Sequence, residues 1–147
     1  MNKLKLSLLL ISLAALSCNS KTDTQLRLDK SEKQLTNLRN TAMEANNIPR
    51  SIHKDDKVRW IEIPYDWTEG FWPGTCWMMF ENTKDEQWKQ AAIASQKIYE
   101  AHKNLTNDHD LGFIFNNSYG KAYQITKEEH YKQVLIDAAN SLITRFN

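Results

Sequence analysis

Asp66-Trp67-Thr68-Glu69-Gly70-Phe71-Trp72-Pro73-Gly74-Thr75-Cys76-Trp77 sets three tryptophans, a phenylalanine, two glycines and two acids within twelve positions. A core rarely needs such density, because indole is bulky and its N–H wants a partner. A sugar-binding cleft does, since the axial C–H face of a pyranose lies flat on an indole while nearby carboxylates take its hydroxyls. The stretch also opens a helix. Phe71 to Glu81 is apolar on most sides, and Pro73 is tolerable only in a first turn. Trp72 and Trp77 stand five residues apart, on different helix faces, so Trp77 reads as core while Trp72 could share sugar stacking. Gly70 and Gly74 are suited to a tight approach of loop and helix, and Glu69 to a favourable charge at a helix N-terminus.

Outward from this stretch the chain is helical. Upstream, Leu28, Leu35, Leu38, Ala42 and Ala45 recur at helical intervals, and Pro49 predicts a stop near Asn46-Asn47. Residues 49–67 read as irregular, with Lys54-Asp55-Asp56-Lys57 as a solvated loop. Downstream, Thr83-Lys84-Asp85-Glu86 has the form of a capping box, followed by Trp88, Ala91, Ala92, Ser95, Tyr99 and His102 on one face. Leu111, Phe115, Ser118, Tyr119 and Ala122 fit a further helix opening just after Asp110. A second box, Thr126-Lys127-Glu128-Glu129, starts the last helix, with Tyr131, Val134, Leu135, Ala138, Leu142 and Phe146 on its buried side. No period-2 strand stands out. Paired helices joined by short polar turns predict an all-α chain of α/α hairpins.

The 147 residues allow one domain at most, and a net charge of +1 with scattered basic residues argues against nucleic acid as a partner. Lys3 and Lys5 precede an apolar run, Leu6 to Leu16, too short to span a bilayer. It closes on Ala15-Leu16-Ser17-Cys18, which resembles a bacterial lipoprotein signal with Cys18 as the lipidated residue. The expected organisation is a leader over 1–18, a tether over 19–24 and a globular part over 25–147. Export to the periplasm or the outer membrane follows, with membrane contact only through the anchor. Cys76 is then left without a partner. No metal is expected, because His53, His102, His109 and His130 form no ligand pair at helical spacing. No cofactor is expected either.

Asn107-Asp108-His109-Asp110-Leu111-Gly112-Phe113 is a second motif. Together with Ile48-Pro49-Arg50-Ser51 and Ser141-Leu142-Ile143-Thr144-Arg145-Phe146-Asn147, the two motifs resemble the unsaturated glucuronyl hydrolase family of glycoside hydrolases, from about Ile48 to the last residue. The resemblance implies an (α/α)6 toroid, of which this sequence holds the first two to three hairpins and is therefore incomplete. It implies an unsaturated uronic-acid oligosaccharide as the partner, and hydration of its C4–C5 double bond as the chemistry. A carboxylic acid protonates C4, water adds at C5, and the hemiketal opens to release the neighbouring sugar.

By the same resemblance Asp110 is the catalytic candidate, holding and polarising the substrate. Position alone favours a different role for it, as an N-cap. His109 would contact substrate and Trp67 would be the stacking platform. Arg50 could meet a substrate carboxylate, though an exposed arginine after proline is commonly just solvated. The principal acid/base aspartate would fall beyond Asn147, so the polypeptide by itself is expected to be inactive. Three alternatives stay open: a lipid-anchored oligosaccharide-binding module, an unsaturated rhamnogalacturonyl hydrolase relative, and a product with no function of its own.

Overall fold

The structure, a computed structural model, describes residues 22–62 and 64–146. The expected leader, Cys18 and the start of the tether lie outside the described residues, as does the side chain of Phe146. Helix α1, Asp23–Ala45, begins inside the stretch expected as tether, and the Thr22 hydroxyl accepts the Gln25 amide at 3.2 Å there. It ends where the pattern placed its stop, at Asn46 in a left-handed conformation (φ 46°). The chain divides into two compact units between Lys33 and Gln34, within α1. Everything that follows concerns the second.

The C-terminal half of α1 buries Ala42 and, unexpectedly, Arg39. The Arg39 guanidinium donates to Asp85 Oδ2 at 3.1 Å and to Gln87 Oε1 at 2.6 Å, and lies 4.6 Å over the Trp88 ring. A planar fork that can pair and stack at once makes arginine tolerable at 5% exposure.

Residues 49–67 are not wholly irregular. Strands β1, Pro49–Ile52, and β2, Val58–Trp60, pair antiparallel, with Pro49 opposite Trp60 and Ile52 opposite Val58, and an irregularity between Pro49 and Ser51. Three of the four β1 residues are exposed and β2 is three residues long with none of them buried, so the hairpin is too short and too open for an alternating pattern to be read. Pro49 is tolerated because it is the first residue of its strand.

Two helical hairpins carry the core. The first joins α2, Phe71–Thr83, to α3, Glu86–Tyr99, which runs into a 3-10 turn at Glu100–Asn104. The second has a composite arm: α4, Leu111–Phe115, a π turn at Asn116–Gly120, and α5, Lys121–Thr126, follow without a break. Its other arm is α6, Glu129–Ile143. The core is aromatic: Trp77, Trp88, Tyr99, Phe115 and Tyr119 are all essentially inaccessible. Tyr119 meets Tyr99 and Tyr131 edge-on at centroid distances of 6.1 and 6.0 Å, the geometry that ring quadrupoles favour.

Neither expected capping box forms. The first cap is Asp85, whose side chain accepts the Gln87 amide at 2.9 Å; the second, Glu128, makes no side-chain cap bond. Thr83 and Thr126 instead end the preceding helices, and each hydroxyl donates to the carbonyl four residues back (Met79, Ala122). Each also accepts the amide two residues on, at 3.2 Å. The same turn thus joins both hairpins, with Lys84 and Lys127 left-handed at φ 60° and 61°. A Cβ strains that conformation. Lys84→Gly is expected to raise the unfolding free energy by about 0.5–1 kcal/mol in urea denaturation, and a loss of stability would disprove the strain.

Candidate functional site

The site arises where the start of α2 crosses the arm that begins with α4. A Cβ on Gly70 would stand 2.1 Å from the Ile114 carbonyl oxygen, and one on Gly74 would stand 2.4 Å from that of Asn117. Backbone therefore meets backbone at this crossing. It gathers three exposed aromatic rings from distant parts of the sequence. Trp67, Phe71 and Phe113 are 45%, 42% and 53% exposed, with ring centroids 5.9, 6.3 and 6.5 Å apart. Phe71 and Phe113 were missed in the sequence; only the glycine pair hinted that a partner helix came so near. Trp72 goes the other way. It is buried, so its ring offers no face for stacking, and Trp77 is core with its Nε1 donating to Gln96 Oε1 at 3.0 Å.

Asp110 stands at the N-cap position of α4, yet its side chain caps nothing. The Phe113 and Ile114 amides donate to its main-chain oxygen at 2.8 and 3.2 Å. Asp108 does the local work instead, its Oδ1 accepting the Asp110 amide at 2.7 Å. The largely exposed His109 stands beside the Asp110 carboxylate, its Nε2 3.6 Å away. Phe113 lies three residues on, over the same helical turn, so a carboxylate that caps no amide lies one turn from the aromatic platform.

Arg50 is exposed but not free: its Nε donates to Asp66 Oδ2 at 2.5 Å. Burial opposes charge on Asp66, but bonds from the Thr68 hydroxyl and amide and from Arg50 outweigh it and hold the carboxyl below its ordinary range. Asp108, Tyr65, His102, Leu105, Asn107 and Pro64 line a cleft of about 340 Å³ beside the Asp110 turn. Asp108, His109 and Asp110 each offer a ligand atom within 4.8 Å of the others, the one such group among the described residues. All three stand on one turn, with His109 largely exposed, and exposed acidic groups commonly gather so without an ion. Cys76 is buried and unpaired, and burial pushes its thiol far up, which makes it a poor nucleophile.

Glu69, read as a favourable charge at a helix N-terminus, is 2% exposed, and its Oε1 lies 2.6 Å from His102 Nδ1. Burial pushes its carboxyl up from 4.5 to about 7, against the pull of the His102 hydrogen bond. The folded chain thus holds a proton that the unfolded chain gives up near pH 4.5. The stability this contributes is fully present below pH 4.5 and is lost as pH rises through about 7. Urea midpoints are expected to fall over that window by the equivalent of at most about 3 kcal/mol from this group. Glu69→Gln should flatten the profile; parallel profiles for the two proteins would exclude the linkage.

No protein-family model matches the chain. The unsaturated glucuronyl hydrolase of Formosa agariphila is 32% identical over 158 aligned residues, covering all of this chain and 40% of that protein. A crystal structure of an unsaturated glucuronyl hydrolase specific for heparin superposes on 82% of this chain and 33% of its own, with TM-score 0.69 and 34% identity. A UGL variant solved with dGlcA-Glc-Rha-Glc covers 74% of this chain and 29% of its own, with TM-score 0.64 and 28% identity. The resemblance read from the motifs therefore holds in sequence and in backbone. The chain spans about two fifths of the length of the curated relative it matches, and its hairpins are similar to those of the all-α toroid of these hydrolases.

Proposed function

We propose that this chain builds one side of the substrate site of an unsaturated glucuronyl hydrolase. The ligand is an oligosaccharide ending in a C4–C5 unsaturated uronic acid, of the kind polysaccharide lyases release. One observation carries the reading: Trp67, Phe71 and Phe113 form an exposed platform one helical turn from Asp110, whose carboxylate makes no cap bond and is paired with the largely exposed His109. The rings would cover the apolar face of the sugar, with His109 at the rim, and Asp110 would hold and polarise the ring that reacts. Hydration then adds a proton at C4 and hydroxyl at C5; the C5 hemiketal opens its ring to a ketone, and the hemiacetal left at C1 collapses to an aldehyde, expelling the neighbouring sugar as an alcohol. The resemblance implies a second, acid/base aspartate that none of the site residues above supplies, so the polypeptide alone is proposed to bind such a sugar without turning it over.

Titration of the 147-residue chain with a lyase-generated unsaturated disaccharide tests this, read by calorimetry. Trp67→Ala is expected to weaken binding by about 1.5–3 kcal/mol, more than tenfold in Kd. Undetectable binding by the folded wild type, or equal affinity of the two proteins, would overturn the reading.

A further inference from the structure

The Glu69–His102 pair has no part in the chemistry above, yet contacts lead from it to Asp110. Glu69 sits on the loop entering α2, and His102 in the 3-10 turn after α3. The His102 ring meets Tyr65 edge-on at 5.8 Å between centroids. Tyr65 carries its hydroxyl in a fully buried position beside Asp108, and burial together with that carboxylate pushes its phenol up. Asp108 in turn holds the Asp110 amide at 2.7 Å. Tyr65, His102 and Asp108 line the same cleft, so three separate segments converge behind the Asp110 turn.

We propose that Glu69 and His102 are a positioning pair whose shared proton sets, through Tyr65 and Asp108, where the Asp110 carboxylate stands. The proposal rests on the reading of Asp110 as the ligand-facing group. Glu69 is too deeply buried for water to screen a change in its charge, so the pair and its neighbours must adjust when a proton leaves. His102 from the 3-10 turn, Asp66 and Tyr65 from its own loop, and Tyr99 from α3 are the groups that act on Glu69. Tyr65, His109 and Arg145 act on Asp108.

The test is a nuclear magnetic resonance titration of the isotope-labelled 147-residue chain from about pH 5 to 9, the range in which imidazole and a buried acid titrate. The Asp110 amide is expected to move with the Glu69 side-chain carboxyl, at a midpoint near 7. In Glu69→Gln that response should vanish. Tyr65→Phe should leave the Glu69 carboxyl response in place while the Asp110 amide stops following it. That variant decides the matter if Glu69→Gln fails to fold. An Asp110 amide that stays flat while the Glu69 carboxyl titrates overturns the proposal. The affinity for the unsaturated disaccharide should change by about threefold or more over the same midpoint. Affinity without pH response overturns a positioning role, whereas an absence of binding with the amide still following Glu69 sinks only the sugar-site reading.

Discussion

Gly70→Ala is expected to cost about 3 kcal/mol or more of folding stability, at the upper end of what overpacking does. The new methyl would stand 2.1 Å from the Ile114 oxygen, 2.6 Å from its Cα and 2.7 Å from its carbonyl carbon. All three are backbone atoms within α4, so no side chain can rotate away and the two helical arms must separate. Thermal unfolding should show a midpoint lowered by roughly 10–20 °C, given the scaling for a domain of about this size. Gly112→Ala is the internal control. Nothing lies within 4 Å of its Cβ, so alanine should stabilise α4 by about 0.5–1 kcal/mol. A Gly70→Ala midpoint equal to the wild type would mean that the helices do not cross at backbone contact. Surviving folded Gly70→Ala should also bind the sugar less well, because Trp67 and Phe71 are held against Phe113 by that crossing.

Asp110→Asn is expected to separate function from stability. A side chain that caps its helix costs about 1 kcal/mol when lost, but the Asp110 carboxylate makes no such bond. Urea unfolding of the variant should therefore agree with the wild type within about 0.5 kcal/mol. Affinity for the unsaturated disaccharide, read by calorimetry, should instead fall by more than tenfold, the loss of about 1.5–3 kcal/mol expected for a hydrogen bond to a charged group. His109→Ala, at a ring 78% exposed, should cost less than about tenfold, as a rim contact does. A variant that is destabilised by a full cap's worth yet binds disaccharide like the wild type would return Asp110 to a structural role.

Each element announced itself by what it repeats locally. The hairpins were legible because Trp88, Ala91, Ala92, Ser95 and Tyr99, and likewise Tyr131, Val134 and Ala138, are buried at helical spacing. The β-hairpin was not, since its strands are only four and three residues long and none of their residues is buried. The capping boxes misled because Thr83 and Thr126 satisfy an ending helix as well as they would a starting one. Trp72 misled in the opposite sense, its position in a sugar-like motif outweighing the helix face on which it sits.

The sequence by itself determined the all-α class, the two hairpins, the aromatic and aspartate motifs and, through them, the family that the chain resembles. These follow from local periodicity, helix-ending chemistry and residues adjacent along the chain. Only the tertiary structure decided that Trp67 and Phe71 share a surface with Phe113, that Arg50 is tied to Asp66, and that Glu69 is buried against His102. The first of those facts depends on how closely two helical arms cross. That distance is set by the absence of a Cβ at Gly70 and Gly74 meeting the carbonyls of Ile114 and Asn117 some forty residues away, a match between surfaces that neither segment encodes alone.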